Sequence, residues 1–187
     1  MANMRVEVPC DAIEARKATV AAAQLWGPVY LRFAREKTPV FTTDHTPYTP
    51  GKAEIFYESK KPQVAIVGCG PLLHNALLAA RALEEKGVGS IVVNCHSVKP
   101  LDMRTLLAVA KRAGAVVSVE EHQIAGGLGG ALAELFAREL PIPMEFIGMQ
   151  DCFGESGKPE ELIKKYGMDA DAIIKAARQV IRRKKFA

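Results

Sequence analysis

From Gly51 onward the chain alternates short, β-branched apolar runs with helix-length stretches, and glycine or proline stands at most of the joints. No other feature narrows the fold as far. A strand, a helix and a second strand in succession close as a right-handed crossover, so a series of such units lays mostly parallel strands in one sheet with helices on both faces. The spacing predicts strands over 53–58, 63–67, 91–94, 115–120 and 144–147, the first of them at the sheet edge. Helices are expected over 71–86, 101–113, 131–140, 159–166 and 169–183. Pro71 suits a first helical position, Asp102 stands near a helix start, Gly87 and Gly114 close two helices, and Pro141 stops another. The expectation is an α/β fold, a three-layer α/β/α arrangement around a mostly parallel five-stranded sheet.

The first fifty residues differ in kind. Residues 4–8 alternate as a strand does, Pro9-Cys10-Asp11 breaks it with Asp11 as a helix N-cap, and an alanine-rich helix follows to Ala23. Gly27-Pro28 restarts the chain as a strand over Val29 to Phe33. Residues 36–50 then hold three prolines and five threonines without periodicity, which reads as a connection. Two strands and one helix are too little to enclose a core of their own. The predicted organisation is a partial α/β segment over 1–38, a linker over 39–52 and a complete domain over 53–187.

Composition removes several function classes. With 187 residues and 49% hydrophobic content the chain buries a sizeable core. Lys and Arg total 25 against 21 Asp and Glu, a mixed surface with a net charge of +4 rather than a nucleic-acid stripe. Cys10, Cys69, Cys95 and Cys152 are scattered, which suits reduced thiols in a cytoplasm, and Cys69 and Cys95 fall in apolar runs as small buried hydrophobes. No apolar run reaches membrane-spanning length, so neither a membrane nor a nucleic acid is an expected partner.

Candidate constellations gather at predicted strand ends. Gly68-Cys69-Gly70-Pro71 follows a strand and opens a helix, and Gly126 to Gly130 does the same; either could face an anion with backbone amides, but a tight turn and close helix–strand packing are the default readings. Glu120-Glu121-His122 puts carboxylate and imidazole where acid–base chemistry is common, yet no nucleophile or clamp stands beside it, so a structural hydrogen-bond role is expected. His45, His74 and His96 show no shared metal spacing. Arg182-Arg183-Lys184-Lys185 complements the negative end of the last helix.

Five runs carry a family resemblance: VPCDAIEARKA (8–18), GPVYLRFAREKTPV (27–40), SVKPLD (97–102), VVSVEEHQIAGGLGGALAE (116–134) and DCFGESGKPEELIKKYGM (151–168). In order and spacing they resemble the C-terminal part of transketolases, most closely the kind made as separate N- and C-terminal subunits. The resemblance implies the end of the pyrimidine-binding domain followed by the C-terminal domain of an enzyme that moves two-carbon ketol units between sugar phosphates. It further implies thiamine diphosphate and magnesium in the complete enzyme, an N-terminal partner, a homodimer, and Arg35 as a ligand of the sugar phosphate. The Gly-Asp-Gly motif with its downstream Asn, and the glutamate that contacts the pyrimidine, have no counterpart in this sequence. The isolated chain is therefore expected to bind no cofactor or metal and to be inactive, with no catalytic residue of its own. Deoxyxylulose-phosphate synthase, the β subunits of 2-oxoacid dehydrogenases, and a stand-alone assembly or ligand-binding module are the other readings.

Overall fold

A computed structural model describes residues 1–184. Its main sheet has five strands in the order β3-β5-β4-β7-β8: β3 (Glu54–Glu58), β4 (Pro62–Gly68), β5 (Gly89–Asn94), β7 (Val116–Gln123) and β8 (Met144–Met149). β4, β5, β7 and β8 run parallel, and β3 pairs antiparallel with β5 at the edge. Because side chains alternate across a strand, neighbouring residues serve opposite faces. Val64, Ile66, Val92, Val117, Val119 and Ile147 pack against α2 (Leu73–Glu84) and α6 (Ala170–Lys184). Ala65, Val67, Ile91, Val93 and Val116 pack against α3 (Met103–Ala113) and α4 (Leu128–Glu139). The predicted three layers with a mostly parallel five-stranded sheet are present.

Local chemistry sets the helix ends. Asp102 accepts from the Thr105 amide at 3.2 Å and starts α3, while Gly114 adopts a left-handed φ of 70° and ends it. α5 (Pro159–Lys165) begins on its proline. Among the described residues no helix is long and apolar enough to cross a membrane.

The N-terminal segment forms a second, three-stranded sheet in the order β2-β1-β6. β1 (Arg5–Glu7) lies parallel to β2 (Val29–Leu31) and antiparallel to β6 (Ser97–Lys99), a strand from the far part of the chain that the sequence reading missed. α1 (Ala12–Gln24) is capped by Asp11, whose Oδ1 accepts from the Glu14 amide at 2.9 Å. The other oxygen of Asp11 accepts from the amides of Phe41 at 2.9 Å and Thr42 at 2.7 Å, so one carboxylate starts the helix and pins the connection after β2. Val8 and Cys10 enter the cores on opposite sides of the main sheet.

Of the boundaries that differ from expectation, two bear on the site. β2 ends at Leu31 rather than Phe33, although the Arg32 amide still donates to Glu7 O at 2.9 Å. α4 begins at Leu128, inside the glycine run, three residues before the predicted start. The reason is space: a Cβ at Gly129 would lie 2.8 Å from both Ser118 Oγ and Phe146 Cδ1. There glycine lets the helix press on the sheet instead of breaking it.

Candidate functional site

β4 lies between β5 and β7, and the crossover leaving β4 through α2 and that leaving β7 through α4 pass on opposite faces, so the carboxyl ends of β4 and β7 border the crevice where sheets of this kind hold ligands. In this protein the crevice is filled by its own N-terminal segment. The Gly70 amide donates to Val8 O at 3.1 Å, the Val8 amide donates to His96 O at 2.7 Å, and the Cys69 amide donates to Val119 O at 3.2 Å. A Cβ on Gly70, whose φ is +66°, would stand 3.2 Å from Val8 Cγ1. The Gly68–Pro71 turn thus receives a neighbouring chain segment, and its amides are already engaged.

The second glycine run is also occupied. Glu120 reaches from β7 to the start of α4, its two oxygens accepting from the Leu128 and Gly129 amides at 2.7 Å each. It acts as an internal anion at the positive helix end. A Cβ on Gly127 would run into the same carboxylate. Burial pushes the Glu120 carboxyl up, opposed by these two amides and by His122 and Arg32. His122 Nδ1 lies 3.8 Å from Glu120 and 2.8 Å from Gln123 O, with half of its side chain exposed. Glu120 of the Glu120-Glu121-His122 motif is therefore committed to holding a helix, while Glu121 is exposed and its main-chain carbonyl accepts from Arg32 at 2.8 Å.

Two clefts flank this edge. One, of about 560 Å³, runs between the small sheet and α4 over Val6, Val98, Leu128 and Leu135, with Arg32 and Arg138 on its rim. The other, of about 890 Å³, holds Arg35 and Lys37 on one wall, His74 and Asn75 at the start of α2, and Gly154 to Pro159 opposite. Arg35 is exposed there and makes no hydrogen bond or ion pair among the described residues, whereas nearby Glu155 is held below the ordinary glutamate range by Lys165. His74 packs on the Phe41 ring at 5.6 Å, and His45 is exposed in the connection. Among the described residues no three His, Cys, Asp or Glu side chains converge as a metal site would require. At the two glycine turns the Cys69, Gly70, Leu128 and Gly129 amides are already bonded within the chain.

Cys69 and Cys95 are buried, as read from the sequence, and burial pushes the Cys95 thiol up to about 12 and raises the Cys69 thiol as well. At the chain's end Arg183 pairs with Glu145 at 2.7 Å and Lys184 donates to Ala113 O at 2.6 Å; Lys185 lies outside the described residues.

Sequence reading missed a buried polar network at the joint between the two sheets. Glu14 accepts from the Cys10 amide and from Asn94 Nδ2, both at 2.6 Å, and its Oε1 lies 3.5 Å from His96 Nδ1. Glu7 accepts from the Ser97 hydroxyl at 2.6 Å and from the Tyr48 hydroxyl at 3.2 Å. The Asp11-x-x-Glu14 spacing, a capping-box pattern, was the available signal.

Comparison with known proteins agrees with this architecture. The family profile described as "Transketolase, C-terminal domain" matches residues 51–173. A 6-deoxy-6-sulfo-D-fructose transketolase subunit, SqwH, of Clostridium sp. (strain MSTE9) is 38% identical over 98% of this chain and 56% of its own length. One of the subunits of the apulose-4-phosphate transketolase of Phocaeicola vulgatus is 31% identical over 97% of this chain and 57% of its own length. A solved split-gene transketolase, described as an inactive beta4 tetramer, superimposes with a TM-score of 0.91 at 39% identity, over 96% of this chain and 58% of that one. The chain thus spans little more than half of these relatives.

Proposed function

Because the chain belongs to the transketolase C-terminal domain family, we propose that it serves a split transketolase, completing an enzyme that moves two-carbon ketol units between sugar phosphates. The observation that carries the reading is the match to split-transketolase subunits along nearly the whole of this chain. In this reading residues 1–38 are the tail of the pyrimidine-binding domain, 39–52 the connection, and 53–187 the C-terminal domain. An N-terminal partner and the remainder of the pyrimidine-binding domain supply the groups for thiamine diphosphate and magnesium, and the assembly is a homodimer of such pairs in the cytoplasm. At the two glycine turns the Cys69, Gly70, Leu128 and Gly129 amides are engaged in bonds within the chain, and among the described residues no metal-type cluster of side chains converges, so these turns do not fit the cofactor's diphosphate and metal. No step of the transfer is therefore assigned to them.

The role left to this chain is to hold substrate and assembly together. Arg35 presents a planar, permanently charged fork suited to a phosphate, on a cleft wall where it makes no ion pair among the described residues. The partner's docking face is the N-terminal segment. β2 is an edge strand, and Val20, Trp26, Tyr30, Phe33 and Val40 are large apolar side chains left exposed there, Trp26 completely.

The experiment is reconstitution. The chain is combined with the N-terminal subunit and missing pyrimidine-domain portion of a split relative, with thiamine diphosphate and Mg²⁺, and assayed with xylulose 5-phosphate and ribose 5-phosphate. Transfer is expected from the mixture and not from the chain alone, with no turnover of pyruvate. Arg35→Ala raises KM for the phosphorylated acceptor by roughly 10–100-fold, the loss of one charge-assisted phosphate contact. Transfer by the isolated chain would overturn the reading.

A further inference from the structure

The polar network at the joint contains an unusual arrangement of acceptors. His96 is fully buried between the segment bearing Tyr48 and the start of α1. Its Nε2 lies 3.1 Å from the Thr49 carbonyl oxygen, and its Nδ1 faces Glu14 Oε1 at 3.5 Å. Both oxygens are acceptors. A neutral imidazole carries one N–H, so it would set a bare ring nitrogen against one of these oxygens; an imidazolium carries two and satisfies both sides. Among the described residues Nδ1 makes no hydrogen bond, and Glu14 Oε1 is the acceptor it faces.

The charge count points the same way. Glu7, Asp11 and Glu14 are 1%, 4% and 2% exposed, and all three stand close to this point. Glu14 accepts from an amide and from the Asn94 side chain, bonds that favour an ionised carboxylate, yet no Lys or Arg pairs with it among the described residues. The other titratable groups nearby are Cys10 and Tyr48, both kept protonated by burial and by these carboxylates, with Arg5 further out beside Glu7. The Tyr48 ring lies over the imidazole, centroids 4.4 Å apart and planes at 32°, an arrangement that suits a cation. Among the described residues His96 is the candidate cation that faces the Glu14 carboxylate.

We propose that His96 is the cationic half of a buried ionic clamp that fastens the N-terminal segment to the five-stranded domain, with one proton held between its ring and the Glu14 carboxylate. Glu14 belongs to α1 and His96 to the turn between β5 and β6, so the pair bridges the two sheets. It thereby positions the segment that carries Arg32 and Arg35. The inference concerns the joint alone and does not use the sugar-phosphate reading, so either can fail without the other.

The test uses the full chain labelled with ¹⁵N-histidine, observed by long-range ¹H–¹⁵N correlation near neutral pH. His96, identified by its loss in His96→Gln, is expected to show two protonated ring nitrogens. A ring with one bare nitrogen overturns the proposal. In parallel, His96→Gln and Glu14→Gln each lower the thermal midpoint by roughly 6–20 °C, as for breaking one side of a buried pair. The double variant loses much less than the sum, and His96→Arg, a permanent cation, recovers at least half. Additive losses, or His96→Arg no better than His96→Gln, contradict the clamp. Should a variant fail to fold, the wild-type spectrum decides by its count of protonated nitrogens.

Discussion

The five-stranded domain and the N-terminal segment are held by opposite means. The domain buries alternating apolar residues on both faces of its sheet, with Val64, Ile66 and Leu83 fully enclosed. The segment sends few apolar side chains inward and several outward, and attaches through buried carboxylates: α1 itself fully buries just Glu14 and Ala18. A unit with a large apolar core is stabilised by area removed from water, whereas a segment with few inward apolar side chains depends on a small number of directional bonds. That contrast predicts where substitutions act on folding and where on assembly.

The largest stability effect belongs to the domain. Leu83→Ala, which empties a fully buried site in the core beneath α2, costs about 3–5 kcal/mol in denaturant unfolding. A smaller loss there would erase the contrast. Gly129→Ala, which drives a methyl group towards Ser118 and Phe146, costs about 1–3 kcal/mol by the same measurement.

Asp11→Asn sharpens the comparison at the joint. Burial alone would raise the Asp11 carboxyl, but hydrogen bonds from Glu14, Thr42 and Phe41 outweigh it and hold the group below the ordinary aspartate range. A depressed folded value stabilises above the ordinary range, and that stabilisation is lost as pH falls through the depressed value. The variant therefore costs about 1–2 kcal/mol at neutral pH and flattens the acid limb of a stability–pH curve. Glu7 has the opposite sign: burial raises it despite Ser97, His96 and Tyr48. Its contribution is present below the ordinary glutamate range and fades as pH rises through the raised value, so Glu7→Gln removes an effect that offsets acid destabilisation and leaves the acid limb steeper. The smallest effect is at Trp26. Trp26→Ser changes the stability of the isolated chain by less than about 0.5 kcal/mol while weakening capture of the N-terminal partner, read by calorimetry.

How much of this was legible depended on sequence distance. The strand–helix rhythm, the Asp11 and Asp102 caps and the Gly114 stop are local signals, and they appear in the structure where expected. The start of α4 was misplaced because Gly129 answers to Ser118 and Phe146, contacts no local pattern encodes. β6 was missed because Ser97–Lys99 becomes a strand only through β1, some ninety residues earlier. The same separation hid the Glu14–His96 contact and the filling of the crevice by Val8. At the candidate site the tempting Glu120-Glu121-His122 motif was visible, but its use as a helix anchor needed the Leu128 and Gly129 amides in space.

The central claim, that the N-terminal segment is a face completed by a partner, is tested most directly by amide hydrogen exchange of the full chain with and without the complementary split-transketolase portion. The account predicts new protection along the outer face of α1 and through Trp26 to Phe33, with the core strands β4 and β7 unchanged. Protection confined to α5 and α6, with residues 20–33 exchanging as in the free chain, would contradict it.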